Sequence, residues 1–197
     1  MTPKFLNGLN EPQKAAVTNE TGSVLVLAGA GSGKTRVLTT RVAWLLSMKK
    51  VDSRQILAVT FTNKAAKEML ARIGSMLPYN LYGVWIGTFH GLCNRMLRHH
   101  HQEAALPESF QILDMQDQLS SIKRLMRNLN VNSEKTVPRQ VQKFINSAKE
   151  EGLRSENIDD PKGFNKIYIE LYEAYDNQCQ KEGVVDFGEL LLRSYEL

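Results

Sequence analysis

The sequence is poor in cysteine and has no long apolar run. Its 197 residues include two cysteines, Cys93 and Cys179, and neither belongs to a C-x-x-C pair. They predict free thiols in a reducing compartment, not a disulfide framework. The longest apolar runs, such as Val24–Ala28, are far shorter than the roughly 20 residues of a membrane-spanning helix. Met1–Leu6 also lacks the apolar core of a signal peptide.

Internal repeats and low-complexity segments are also absent from the sequence. Hydrophobic residues make up 42% and charged residues 23% of the chain, which is an ordinary balance for a globular protein. The formal net charge of +4 mildly favours a polyanionic partner without identifying one. A chain of this length can form one large domain or two small ones.

Strand-like and helix-like stretches alternate through the first part of the chain. The runs Val24–Leu27, Ile56–Thr60 and Val84–Ile86 are apolar, as expected of strands that are covered on both faces. Helical patterns lie between and after the first two runs, at Lys34–Met48 and Ala65–Ile73. Strand–helix–strand order with short connections predicts a parallel α/β sheet.

Long amphipathic helical patterns replace the strands in the second part of the chain. One apolar face runs along Leu119–Leu129, in a helix that Asp114 could cap. A second apolar face consists of Phe164, Ile167, Tyr168, Leu171, Tyr172 and Tyr175. These patterns predict a helical second domain that begins between Gly91 and Phe110.

The stretch Ala28–Thr35 matches the phosphate-loop pattern G-x-x-x-x-G-K-[ST], except that Ala28 replaces the first glycine. Glycines without a Cβ let successive backbone N–H groups converge on phosphate oxygens. The helix that starts near Lys34 adds its positive dipole end. Lys34 would reach the β- and γ-phosphates of a nucleotide, and Thr35 would ligate Mg²⁺. The alternative is a glycine-rich turn with a chance lysine, which the flanking strand and helix patterns do not favour.

Several stretches together resemble the superfamily 1 DNA helicases of the UvrD/Rep/PcrA type. Four carry the resemblance: LNEPQKAAV (Leu9–Val17), AGAGSGKTR (Ala28–Arg36), VTFTNKAAKEM (Val59–Met69) and GTFHGLCNRML (Gly87–Leu97). A fifth, VDFGELL (Val185–Leu191), supports it. The resemblance extends over essentially the whole chain.

This resemblance implies an incomplete P-loop NTPase (RecA-like) parallel sheet followed by an all-helical inserted domain. Residues 1–91 would be the first part of motor domain 1A, and residues 92–197 most of domain 1B. The implied activity is that of an ATP-dependent 3′→5′ DNA helicase or translocase with ATP and Mg²⁺ as cofactors. The implied partners are single-stranded DNA and single-strand/double-strand junctions, with repair or replication proteins. The implied location is the cytoplasm.

Gln13 and Arg36 complete the nucleotide site that the resemblance implies. In the family a glutamine at this place reads adenine, whose N6 and N7 edge complements a carboxamide. From the residues alone, Gln13 could equally close a helix capping box with Asn10, and the two roles can coexist. Arg36 lies near the nucleotide in the family, but it could equally be a surface charge. The implied nucleotide contacts are Gln13, Ala28, Gly29, Ala30, Gly31, Ser32, Gly33, Lys34, Thr35 and Arg36, with Lys34 and Thr35 as the catalytic pair.

Polar and aromatic residues follow the second and third predicted strands. Ligands gather at the carboxyl edge of an open parallel sheet, and an aromatic side chain there can stack on a base. From the residues alone, the favoured alternative is that Thr62 caps the next helix and that Phe61 lies in the core. The resemblance instead implies contacts with single-stranded DNA. The implied DNA-binding residues are Phe61, Thr62, Asn63, Lys64, Thr88, Phe89 and His90.

The helical region carries two further features. Asp186, followed three residues later by Glu189, predicts the N-cap of the last helix. Four basic residues could follow duplex DNA, although a solvated face is the default for such charges. They are Arg139, Lys143, Lys149 and Arg154.

Groups required for ATP hydrolysis are missing from the sequence. Hydrolysis needs carboxylates that hold Mg²⁺ and orient water, and arginines that stabilise the γ-phosphate. No apolar run ends in an Asp-Glu pair, and the arginine fingers and second motor domain of the family are absent. We therefore expect Leu197 to be a truncation point and this chain to bind nucleotide weakly without hydrolysing it. Two alternatives stay open: a self-contained P-loop small-molecule kinase, and a non-enzymatic DNA-binding or partner-binding module.

Overall fold

A computed structural model of the chain describes residues 3–78, 80–163 and 165–197. Its helices are α1 (Glu11–Thr18), α2 (Lys34–Ser47), α3 (Asn63–Met76), α4 (Phe89–His99), α5 (Met115–Asn128), α6 (Pro138–Glu150), α7 (Lys166–Glu182) and α8 (Phe187–Glu196). Its strands are β1 (Leu57–Thr60), β2 (Trp85–Thr88), β3 (Gln111–Ile112) and β4 (Val184–Val185). None of the helices in this part of the chain is long and apolar enough to cross a membrane.

Residue contacts divide the chain into two compact units, Met1–Leu92 and Cys93–Leu197. β1 pairs with β2 in the first unit, and β3 pairs with β4 in the second, both in parallel. The chain is therefore a mixed α/β protein with short parallel sheets and many helices. The predicted helices at Lys34–Met48 and Ala65–Ile73 are confirmed as α2 and α3, and the second and third predicted strands as β1 and β2.

The parallel pair of β1 and β2 organises the first unit. Leu57 lies opposite Trp85 and Thr60 opposite Thr88, so the carboxyl ends of both strands meet at one edge. Apolar side chains of α2 and α3 pack against this pair and form one core. Its buried members are Val42, Ala43, Leu46, Ile56, Ala58, Met69, Ile73, Leu77 and Val84.

The strand predicted at Val24–Leu27 is wrong. The structure has no strand at these positions, and the four side chains are between 38% and 88% exposed. Leu57 on β1 is also 66% exposed, so the prediction that the strands are covered on both faces is wrong for β1 as well. The reason is physical: an apolar run becomes a strand only where a neighbour satisfies its backbone N–H and C=O groups. No described strand pairs with this run.

Helices α5, α6 and α7 build the main core of the second unit. Asp114 caps α5 by accepting hydrogen bonds from two backbone N–H groups of its first turn, as predicted. The buried core members are Ile122, Leu125, Met126, Val141, Ile145, Ala148, Leu171, Tyr172, Tyr175 and Cys179. Leu129, predicted on the apolar face, is 51% exposed because α5 ends one residue before it. Phe164 lies outside the described residues, and both cysteines are free, as predicted.

A short parallel ladder interrupts the helices of the second unit. The two residues of β3 pair with the two residues of β4, so the prediction of an all-helical domain is wrong in this detail. Segments this short have no periodicity that a sequence can reveal. Their pairing follows from tertiary packing, because Val185 of β4 is buried in one cluster with Phe110 and Leu190.

A buried ammonium group joins the last three helices of the second unit. Lys149 on α6 has only 1% of its side chain exposed. Its Nζ lies 2.9 Å from Asp176 Oδ1, 3.0 Å from Asp186 Oδ2 and 2.8 Å from Glu189 Oε2. Asp176 belongs to α7, and the other two carboxylates belong to the start of α8. Asp186 is also the N-cap of α8, as predicted, because its Oδ1 accepts the Glu189 N–H at 2.7 Å.

Two arginines complete this buried ion cluster. Arg154 Nη2 lies 3.0 Å and Arg193 Nε 2.7 Å from Glu189 Oε1. Burial alone would raise the pKa of Glu189, but Lys149 and the two arginines lower that pKa to about 2. Burial would lower the pKa of Lys149, but the surrounding carboxylates outweigh it and raise that pKa. Both groups therefore stay charged inside the unit.

The hypothesis that Lys149 and Arg154 follow duplex DNA is wrong. Both side chains are committed to carboxylates of the same unit, and Arg154 is only 16% exposed. A lysine or arginine in a sequence is solvated by default, so the pattern alone did not separate these two from their neighbours. Arg139 and Lys143 are exposed on α6 and remain candidates for contact with a polyanion.

We expect Lys149→Met to lower the free energy of unfolding by about 3–5 kcal/mol, because it leaves buried carboxylates without their shared counter-ion. Lys143→Met, on the exposed side of the same helix, should change it by less than about 0.5 kcal/mol. Urea unfolding followed by circular dichroism measures both. Equal stability of the two variants would contradict the role of the buried charge.

Candidate functional site

The predicted phosphate loop leads directly into α2. Gly33, the N-cap of α2, has a φ of +85°, and Gly31 has a φ of +74°. Glycine adopts this left-handed region without strain. The Val37 N–H donates to the Gly33 carbonyl at 3.0 Å and begins the helix. The amino end of α2, with its positive partial charge, therefore opens at the loop, as an anion site requires.

Polar side chains of the loop bond to its own carbonyl groups. Ser32 Oγ donates to the Gly29 carbonyl at 2.7 Å. Lys34 Nζ donates to the carbonyls of Ala28 and Gly29 at 3.0 Å and 2.6 Å. Lys34 and Thr35 are exposed at the start of α2. The ammonium group thus lies across the loop, and its contact with nucleotide phosphates stays a prediction.

Gln13 connects α1 to the phosphate loop. Its backbone N–H donates to Asn10 Oδ1 at 2.9 Å, and its Oε1 accepts the Asn10 N–H at 3.2 Å, which confirms the predicted capping box. Its Nε2 also donates to the Ser32 carbonyl at 3.0 Å. A carboxamide has two acceptor positions and two donors. One of each is therefore left over, and an adenine edge needs one of each.

Arg36 lies beside the segment that leads into α1. A Cβ added at Gly8, whose φ is +80°, would lie 3.2 Å from Arg36 Nη2. A Cβ added at Gly33 would lie 3.1 Å from Gln13 Nε2 and 3.9 Å from Arg36 Cβ. The structure thus brings Gln13, the predicted adenine contact, and Arg36, predicted to lie near the nucleotide, next to the last glycine of the phosphate loop.

Two exposed aromatic side chains follow the paired strands. Thr60 pairs with Thr88, so Phe61 follows the end of β1, and Phe89, the first residue of α4, follows the end of β2. Paired strands are spaced about 4.8 Å apart. Phe61 is 97% exposed and Phe89 is 62% exposed. The alternative that Phe61 lies in the core is therefore wrong. Aromatic rings exposed at a carboxyl edge can stack on successive bases of a single strand.

The polar DNA candidates occupy the helix starts next to these rings. Thr62 Oγ1 accepts a backbone N–H of the first turn of α3 at 3.1 Å, which confirms the capping alternative for this residue. Thr88 Oγ1 accepts a backbone N–H of the first turn of α4 at 3.2 Å. The other polar candidates are exposed in the same two turns: Asn63, Lys64 and His90. The structure brings all seven candidates to one edge of the first unit.

Two long-range contacts of this region were not predicted from the sequence. The bond from Gln13 to Ser32 joins residues 19 positions apart, and no local pattern signals it. Arg41 Nη1 donates to three carbonyls at the end of α1, those of Ala16, Val17 and Asn19, at 2.9, 3.1 and 3.0 Å. Together the two contacts fasten both ends of α1 to the phosphate loop and its helix.

The part of the chain that the structure describes has no group of three or more His, Cys, Asp or Glu side chains that could hold a metal ion. Thr35, the predicted Mg²⁺ ligand, is exposed in the first turn of α2, and its contact with a metal ion stays a prediction.

A phosphate-loop sequence that opens a helix in an α/β unit is typical of nucleotide-binding proteins. Residues 9–197 match the model of the UvrD/REP helicase N-terminal domain, and the chain belongs to this family. It is 49% identical over 194 residues to DNA helicase II of Escherichia coli (strain K12) and 40% identical over 196 residues to the ATP-dependent DNA helicase PcrA of Bacillus subtilis (strain 168). These matches cover 98% of this chain but 27% and 26% of the relatives. The chain therefore spans about a quarter of the length of the curated relatives it matches. Because these relatives are DNA helicases, the small-molecule kinase alternative is not favoured.

We expect Gly33→Ala to destabilise the first unit by about 1–2 kcal/mol, because a side chain is strained in the left-handed region. Its Cβ would also press on Gln13 Nε2. Gly29→Ala is the matched control in the same loop, since its φ is not positive and its added Cβ meets no atom within 4 Å. Urea unfolding compares the two. Equal stability would contradict the left-handed conformation of Gly33.

Proposed function

We propose that this chain supplies an ATP site and a single-stranded DNA edge to an ATP-dependent 3′→5′ DNA helicase or translocase. The relatives named above are DNA helicases, and the name of PcrA includes its dependence on ATP. The observation that carries the proposal is the register of Thr60 with Thr88, because an exposed aromatic residue follows each of these paired positions. On this proposal, residues 1–91 are the first part of a RecA-like P-loop domain and residues 92–197 are most of a helical insertion.

The proposed nucleotide site uses the loop backbone, the amino end of α2 and four side chains. Lys34 would exchange its two neutral carbonyl partners for phosphate oxygens, and charge-assisted hydrogen bonds of that kind are the stronger ones. Gln13 would offer its remaining donor and acceptor to adenine, and Arg36 would lie beside the nucleotide. Thr35 would ligate Mg²⁺, which supplies positive charge against the triphosphate when it is bound.

The proposed DNA edge combines stacking with helix starts. Phe61 and Phe89 would stack on neighbouring bases, while Asn63 and Lys64 at the amino end of α3 would meet phosphates. Thr62, Thr88 and His90 would line the same edge. The proposed substrates are single strands and their junctions with duplex, in cytoplasmic DNA repair or replication and alongside proteins of those processes.

We further propose that hydrolysis needs groups outside this chain. The 197 residues contain no apolar run that ends in Asp-Glu, so no carboxylate pair of that kind can hold Mg²⁺ and orient water. The chain should therefore bind ATP weakly without turnover and should not unwind DNA. An assay that found DNA-stimulated ATP hydrolysis by the purified 197-residue chain would contradict this.

We expect Phe61→Ala to weaken single-stranded DNA binding by about five- to hundredfold, because one base–aromatic stack contributes about 1–3 kcal/mol. Tyr82→Ala is the matched control: this ring is 79% exposed, but it precedes the amino end of β2. Fluorescence anisotropy of a labelled oligothymidylate, with and without ATP and Mg²⁺, measures both variants of the 197-residue chain.

The same titration separates the alternatives. A non-enzymatic module predicts DNA binding that ATP leaves unchanged, and a small-molecule kinase predicts no DNA binding. DNA helicase II of Escherichia coli serves as the positive reference. If Phe61→Ala and Tyr82→Ala bind the oligonucleotide equally well, the proposed stacking edge is wrong.

A further inference from the structure

The hydrogen bond from Gln13 Nε2 to the Ser32 carbonyl reaches into the most adaptable part of the phosphate loop. Ser32 lies between Gly31 and Gly33, which have φ values of +74° and +85°. Glycine adopts positive and negative φ about equally well, so a peptide group next to it can rotate at little cost. The Ser32 N–H has a partner inside the loop, the Gly29 carbonyl at 3.4 Å, whereas the Ser32 carbonyl accepts its hydrogen bond from outside the loop, from Gln13.

The peptide group between Ser32 and Gly33 is planar and trans. In such a group the carbonyl and the N–H point in opposite directions. Because Gln13 holds the Ser32 carbonyl towards α1, it also directs the Gly33 N–H away from α1. A phosphate loop binds anions through its N–H groups, and a carbonyl turned to the same side would repel them. The hydrogen bond from Gln13 thus determines whether an anion on the side away from α1 meets the Gly33 N–H or the Ser32 carbonyl.

The capping box determines which way the Gln13 amide faces. Its Oε1 accepts the Asn10 N–H, so the oxygen is directed to Asn10 and the nitrogen to Ser32. Rotation of the amide by half a turn would put two donors together at Asn10 and two acceptors together at Ser32. The first turn of α1 therefore prepares Gln13 as a donor to the loop.

We propose that Gln13 is a positioning residue for the phosphate loop, which acts on the triphosphate whatever base the nucleotide carries. This rests on the proposed nucleotide site and goes beyond adenine recognition, because it assigns the side chain a second effect that needs no base. A base-free polyphosphate should therefore be sensitive to residue 13. A residue that only reads adenine would leave such a probe unaffected.

The test measures binding of tripolyphosphate–Mg²⁺ and of ATP–Mg²⁺ to the 197-residue chain by isothermal titration calorimetry. Gln13→Met keeps the length of the side chain and removes both polar ends, and Gln13→Ala repeats the loss with a smaller residue. We expect both variants to weaken tripolyphosphate binding by roughly three- to tenfold, the effect of one lost hydrogen bond. ATP binding should fall by more, since the adenine contact is lost as well.

Asn10→Ala is the control for a purely structural effect. It removes the capping carboxamide of α1 but keeps the Asn10 backbone N–H that orients Gln13. Tripolyphosphate affinity should stay near that of the unmodified chain, although α1 becomes less stable. Circular dichroism of each variant shows whether the helices remain.

Three outcomes would overturn the proposal. If Gln13→Met weakens ATP binding but leaves tripolyphosphate binding unchanged, the residue acts on the base alone and the nucleotide site stands. If Asn10→Ala weakens tripolyphosphate binding as much as Gln13→Met does, the effect comes from loss of α1. If the unmodified chain binds neither probe, the proposed nucleotide site fails, and this inference fails with it.

Discussion

The charge of Lys149 is the constraint around which the second unit is arranged. An ammonium group with 1% of its side chain exposed would cost several kcal/mol if it were unpaired. The cost is offset because α7 and the start of α8 bring Asp176, Asp186 and Glu189 within 3.0 Å of it. Tyr175 and a glutamine of α5 also donate to Asp186. If the helices shifted against one another, buried charges would lose their partners. The cluster therefore favours one packing arrangement of the helices over other compact arrangements.

Much of the architecture could be predicted from local signals in the sequence. Helical periodicity with a cap residue located α5 through Asp114 and α8 through Asp186, and the glycine pattern located the loop ahead of α2. These predictions succeeded because caps and periodicity depend on residues three or four positions apart. Phe61 differed: its neighbour Thr62 is a cap, as local rules favour, yet the ring itself is exposed, which local rules do not determine.

The predictions that failed depended on partners far along the chain. Val24–Leu27 has the composition of a buried strand, but pairing needs a second strand, and the described structure places none beside it. Lysine is usually a surface residue, but Lys149 is surrounded by three carboxylates from distant positions in the sequence. In both cases the residue type indicates only whether burial is favoured on average. The actual free energy of burial depends on whether the tertiary structure supplies hydrogen-bonding or charged partners.

Gln13 and Asp186 show how the two kinds of information meet in one side chain. Each has a capping role with a partner three residues away, which the sequence reveals. Each also has a long-range partner that it does not reveal: the Ser32 carbonyl for Gln13 and the Lys149 ammonium for Asp186. In each case the local capping bond holds the side chain at a helix start. A residue held in this way can orient its distant partner with little further loss of side-chain entropy. For the phosphate loop this means that one of the hydrogen bonds that hold the glycine-rich segment comes from α1, which lies outside the phosphate-binding pattern itself.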